Sequence, residues 1–182
     1  MVFLRCWTTL GLAIRMGQSI GLHVEISQWG YTKEMTPQLR EQRRRVWYSL
    51  YALDRLLALQ LGRPFAIHEV DFAVQLPSRE ENASASVSST DEKVTPSHMD
   101  YFLCLIQFSH IVGRVVTELY RPTQTDPPSK EILLSTTTLD WDLAQWKENL
   151  PRHLRFDLGH TLEKSVVFRR QVRGSATRMT QD

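Results

Sequence analysis

The stretch TPQLREQRRRVWYSLYALDRLLALQLGRP, residues 36–64, decides the fold. Leu39, Val46, Leu50, Leu53 and Leu57 recur at three- and four-residue steps, and Arg43 fills the missing step, so the run has one face of a 3.6-residue period. Thr36 suits an N-cap, and Pro37 suits the first helical position, where its missing N–H costs nothing. Gly62 supplies a left-handed stop and Pro64 prevents resumption. A helix of roughly 24 residues spans about 36 Å, enough for the central rod of a domain. A second stripe, Trp47, Tyr51, Asp54, Ala58 and Leu61, lies beside the first and places an acid inside a wide buried face. An unpaired carboxylate there is costly, so Asp54 should be neutral or meet a cation such as Arg15 or Arg63.

Upstream, WTTLGLAIRMGQSIGLHVE reads as a second amphipathic helix, with Trp7, Leu10, Ile14 and Gly17 on one side and Gly21 at its end. Gly11 and Gly17 inside the helix cost about 1 kcal/mol each, and both are tolerable where a neighbouring helix packs closely. Gln28 to Met35 reads as a connection, making the two helices an antiparallel pair. After the central helix, FAIHEVDFAVQLP reads as an extended segment laid along the helices.

These residues carry a resemblance. AIRMGQSIGLHVE at Ala13–Glu25 and REQRRRVWYSLYALDRLLALQLGRPFAIHEVDFAVQLP at Arg40–Pro77 are similar to the fungal-specific transcription factor domain, the middle homology region of fungal zinc-cluster transcription factors. The pattern rests on Gly21, Leu22 and His23; Glu41, Arg43, Arg44, Arg45 and Trp47; Leu53, Asp54 and Arg55; Gly62, Arg63 and Pro64; and Asp71, Leu76 and Pro77. Tyr48 stands where the family often shows Trp. LDWDLAQWKENLPRHLRF, at Leu139–Phe156, resembles a later family helix more weakly.

The resemblance implies an all-α regulatory segment of a nuclear transcription factor that does not itself touch DNA. Its expected partners are other regions of the parent factor or transcriptional cofactors, and a homodimer is compatible with it. DNA and zinc would be bound through a six-cysteine cluster elsewhere in a parent protein. This chain has only Cys6 and Cys104 and cannot build that cluster, so no cofactor is expected here. The chain starts inside the family's region, so Met1 reads as an internal start or a fragment boundary.

The remaining segments complete a bundle of about four main helices. Residues 1–77 carry the strongest match, and SREENASASVSSTDEKVTPS, at 78–97, is a serine-rich, charged stretch with the composition of a disordered linker. Residues 98–172 continue the same domain and 173–182 form a frayed tail. Thr95 and Pro96 open a third helix bearing Met99, Phe102, Leu103, Ile106, Val112, Val115, Val116, Leu119 and Tyr120, ended by Pro122. Ser129 is the N-cap of a fourth, with Ile132, Leu139, Leu143, Trp146 and Leu150 as its stripe.

Composition bounds the function classes. With 22 basic and 20 acidic residues among 182, the net charge of +2 demands neither nucleic acid nor an anionic membrane. Two distant cysteines suit a reducing compartment, and no run approaches a membrane span. His23 and Glu25 spell His-x-Glu, but the Pro-Cys-x-x-Cys half of a zinc deaminase is missing; His23 reads instead as a helix C-terminal residue favoured by the dipole. The other histidines lack metal-ligand spacing, and no nucleophile or phosphate-loop motif occurs, so an enzyme is not expected. Arg43 to Arg45 spread around about 200° of a helix, which favours structural pairing over a flat basic patch. A standalone helical interaction module without a transcriptional role is the alternative reading.

Overall fold

Four α-helices run in chain order through the computed structural model, which describes residues 2–25, 35–79, 97–120 and 129–155. They are α1 (Val2–Ser19), α2 (Pro37–Leu61), α3 (His98–Leu119) and α4 (Ser129–Glu148), with short 3-10 turns at Glu69–Asp71 and Arg152–Leu154. No strand occurs among the described residues, and the architecture is all-α. The connection at 28–34, all of the serine-rich linker except Ser78, Arg79 and Ser97, and the tail from Arg173 lie outside the described residues.

The central rod begins and ends where its residues require. Thr36 Oγ1 accepts the Leu39 N–H at 3.2 Å, Pro37 opens the helix, and Gly62 closes it at φ 60°, a left-handed conformation that suits a residue without Cβ. α1 lies antiparallel to α2. Arg43, near the start of α2, donates to the Ile20 and Gly21 carbonyls beyond the end of α1, whereas Arg63, just after α2, sits 5.1 Å over the Trp7 ring. The close approach passes through Gly17, where an added Cβ would lie 3.2 Å from Leu50 Cδ1; Gly11, expected to share it, would meet nothing within 4 Å because it lies off the face turned to α2.

Gly21, at φ 70°, turns the chain out of α1, and the residues that follow run beside the extended segment after α2. Ala73 N–H donates to His23 O at 2.9 Å and Glu25 N–H to Ala73 O at 3.0 Å, making one isolated parallel bridge between Val24 and Ala73. Under this roof lies the core: Leu10, Ile14, Leu22, Trp47, Tyr48, Tyr51, Ile67 and Ile106. Phe72 sits 5.6 Å from the ring centroids of both Trp47 and Tyr51. Each such side chain contributes about 1.5–3 kcal/mol on burial.

The buried face of α2 differs from the first stripe expected of it. Leu39, Val46 and Leu53 are 46%, 50% and 49% exposed, while Trp47, Tyr51, Asp54 and Ala58 of the second stripe are buried. The aromatic row faces the core shared with α1, the extended segment and α3, while the outer leucine row is left exposed.

Ser97 and Asp100 form a capping box at the start of α3, two residues later than the expected Thr95-Pro96 opening. Arg79 bonds Asp100 at 2.6 and 3.1 Å, and Ser97 Oγ donates to Arg79 O, so the two ends of the serine-rich linker are clasped together. α4 packs on α3 through Trp146, whose indole donates to Cys104 O at 3.0 Å and whose ring lies 5.1 Å from Phe108. Leu139, Leu150 and Leu154 are buried in this region; Ile132, expected in the stripe, is 42% exposed, and the helical span includes Ser129 itself. Contrary to the sequence expectation, α3 is long and apolar enough to cross a membrane by length and composition. It packs on both α2 and α4.

Candidate functional site

The family-motif residues gather along α2 and the two segments laid against it. Each arginine of the three-residue run finds its own partner. Arg43 holds the end of α1; Arg44 Nη2 bonds Glu25 and Gln75, both at 2.6 Å; and Arg45 Nε bonds Glu41 at 3.0 Å one turn earlier. Around a helix these residues are 100° apart, so the run fastens three directions at once. Glu25 also accepts the Gln75 N–H; burial opposes its charge, yet Arg44 and this amide hold its carboxyl below the usual value. His23 lies four residues beyond the end of α1, not within its last turn. Its ring sits 6.1 Å from Trp47, and the His23 Nδ1 and Trp47 Nε1 atoms are buried without a hydrogen-bond partner.

Asp54 and Arg55 form the buried centre. Asp54 accepts the N–H groups of Ala66 and Ile67 at 3.0–3.1 Å and pairs with its own neighbour, Arg55, at 3.1 Å. Arg15 and Arg63, the cations expected for it, lie elsewhere: Arg15 bonds Gln18 and Arg63 covers Trp7. Adjacent helical side chains point 100° apart, which is why sequence spacing hides the pair; both bend toward the chain returning after Pro64. Burial pushes the Asp54 carboxyl up, with the Ile67 and Ala66 amides and Arg55 opposing that rise.

The Arg55 guanidinium is stacked between Tyr51 at 4.3 Å and Phe65 at 4.1 Å. Nη1 also donates to Ile67 O at 2.9 Å, and Nη2 to Glu69 Oε1 at 3.1 Å. Nε is buried with no acceptor and faces Gly113 of α3, where an added Cβ would come within 3.0 Å. Gly113 is therefore what lets α3 close over this arginine.

Glu69, Tyr51 and His110 extend the centre toward α3. The Tyr51 hydroxyl donates to Glu69 Oε1, and His110 Nδ1 lies 2.9 Å from that hydroxyl and 3.5 Å from the same carboxylate oxygen. With the tyrosine hydrogen spent on Glu69, His110 Nδ1 must be the donor to the phenol oxygen. Burial opposes the Glu69 charge, but His110, Tyr51 and Arg55 together hold its carboxyl down to about 2. Burial, reinforced by Glu69, pushes the Tyr51 hydroxyl far up, so it remains a donor. Beside this cluster a cleft of about 550 Å³ opens between the 65–70 segment and α3, with Phe65, His68, Glu69, His110 and Arg114 on its walls.

Sequence reasoning missed Glu69, His110, Phe65 and Gly113. Glu69 sits in an irregular segment with no period, and His110 and Gly113 acquire meaning only once α3 lies across α2. The Asp54-Arg55 dipeptide within an apolar stripe was the one local signal.

The arrangement fixes backbone and helices. Cys104 is raised to about 11 by burial, and the Ser109 hydroxyl donates to Leu105 O one turn back. Among the described residues no three His, Cys, Asp or Glu side chains converge as a metal site. Cys6 on α1 and Cys104 on α3 do not fit a multi-cysteine zinc cluster.

A family model described as the fungal specific transcription factor domain matches residues 4–154. The chain belongs to this family. Its match spans α1 through the turn after α4 and so includes every element of the centre described above. The chain is 33% identical over 143 residues to an ABC-transporter-regulating transcription factor of Aspergillus oryzae, covering 79% of this chain and 15% of the relative. A protein of the same description in Aspergillus fumigatus is 31% identical over the same shares. The Transcriptional activator protein acu-15 of Neurospora crassa is 29% identical over 81% of this chain and 15% of its own length. The chain thus spans about one seventh of these family members. No solved structure matches it.

Proposed function

We propose that the chain is a regulatory segment of a fungal zinc-cluster transcription factor, acting in the nucleus without touching DNA. In this reading DNA and zinc are bound by a cluster elsewhere in the parent polypeptide. The segment contacts other parts of that factor, or transcriptional cofactors, and changes activity by favouring one of two arrangements. The single observation that carries the reading is the family match over residues 4–154. The arginine run also supports it, because Arg43, Arg44 and Arg45 meet internal partners in three directions and do not form one flat cationic face for a phosphate backbone.

The test is transfer of the chain to an unrelated DNA-binding domain carrying its own activator, read with a reporter gene. The expected result is a change in reporter output that Arg55→Leu, which disrupts the buried centre, abolishes at equal protein level. Unchanged output with the folded wild-type segment, under every nutrient condition tried, overturns the regulatory reading and favours a standalone interaction module.

A further inference from the structure

α1 is apolar on both sides. Its inner side presents Leu10, Ile14 and Gly17 to the core. On the opposite side Leu4, Leu12, Met16 and Ile20, the last just past the helix end, are 52–65% exposed. With Thr8 they stand at successive four-residue steps and form one continuous i±4 ridge. Thr8 interrupts the apolar row after Leu4, but a surface helix ordinarily carries polar residues throughout such a row, and the unbroken apolar stretch Leu12, Met16 and Ile20 marks an interaction site.

The charges beside the ridge define what fits it. Arg5 follows Leu4 and Arg15 precedes Met16, so the two cations flank the ridge on opposite sides. The 18 residues of α1 include no Asp or Glu, and among the described residues neither arginine forms an ion pair; Arg15 meets only the neutral amide of Gln18. By contrast, each member of the Arg43–Arg45 run on α2 already has a partner. An i±4 ridge packs into the groove of another helix at about −50°. We infer that the outer side of α1 is a docking surface for a separate polypeptide presenting an amphipathic helix, with apolar residues along its centre and carboxylates on both flanks. The apolar ridge supplies affinity, and the two arginines set orientation and exclude basic helices.

The test uses the whole chain and three fluorescently labelled 18-residue helical peptides, read by anisotropy. One has leucines at four-residue steps flanked by glutamates, the second has lysines for the glutamates, and the third keeps the glutamates but has serines for the leucines. The first should bind, the second about fivefold more weakly, and the third should not bind measurably. Leu12→Ser with Met16→Ser should weaken the first peptide at least about tenfold. Arg5→Glu with Arg15→Glu should invert the order of the first two. All four positions are exposed, and melting curves should stay within a few degrees of the wild type. Binding indifferent to flank charge, or no binding by any peptide, overturns the proposal. So does self-association in sedimentation that Leu12→Ser with Met16→Ser abolishes, since the ridge would then be covered by a second copy.

Discussion

α2 carries arginines at both ends of its working length, and they do opposite jobs. Arg44 and Arg45, near the start, keep 17% and 29% of their side-chain surface, and each meets a carboxylate that is itself partly wet. Arg55, three turns later, keeps 2% and is closed in by two aromatic rings, two carboxylates, a carbonyl and the Gly113 backbone. The first set tolerates loss because water can replace a partner. The second has no such substitute, since removing one member of a buried pair leaves the other charged and dry. Burial, not residue type, determines which arginines the fold cannot spare.

The sharpest way to break this contrast is Arg55→Leu, which strands Asp54 among backbone amides and should lower stability by about 3–5 kcal/mol in urea unfolding. A loss equal to that of a rim arginine would dissolve the distinction. Gly113→Ala comes next. Alanine favours a helix by about 1 kcal/mol, but its Cβ meets an Arg55 side chain that is stacked and bonded on every other side and cannot retreat. Overpacking of about 1–3 kcal/mol should outweigh the gain and leave a net loss of about 1 kcal/mol, measured the same way.

Acid titration sharpens the comparison further. The Glu69 carboxyl falls from an ordinary 4.5 to about 2 in the folded protein. Its contribution is therefore complete above pH 4.5 and disappears as pH drops through 2. Asp54 runs the other way, because a raised carboxyl weakens the fold as pH climbs through its native value. Melting temperature measured from pH 6 to pH 2 should fall less steeply in Glu69→Gln than in the wild type. The smallest effect belongs to Arg45→Ala, which deletes a half-buried i,i+4 contact to Glu41 and should cost about 0.3–0.5 kcal/mol.

How much of this could be read in advance varies along the chain. The ends of α2 were legible because Thr36, Pro37 and Gly62 act within a few residues of where they sit. The pairing of α1 with α2 was legible from Gly17 and a short connection. The choice of buried stripe on α2 was not. Leu39, Val46 and Leu53 satisfy the periodicity as well as Trp47, Tyr51 and Ala58 do, and only the location of Phe72 and α3 decides between them. In the same way Asp54 announced that it needed a cation, but the neighbouring residue in sequence supplied it through a side-chain bend that no helical spacing encodes. Glu69 and His110, 41 residues apart, meet only in the assembled structure.

The bridge between Val24 and Ala73 encloses the whole of α2 in a single backbone loop. A contact that spans so much chain cannot persist once the helix within it melts, and the helix loses its roof once the contact opens. Amide deuteration should therefore find Glu25 and Ala73 exchanging in step with the middle of α2, as one kinetic unit, although neither residue belongs to a helix.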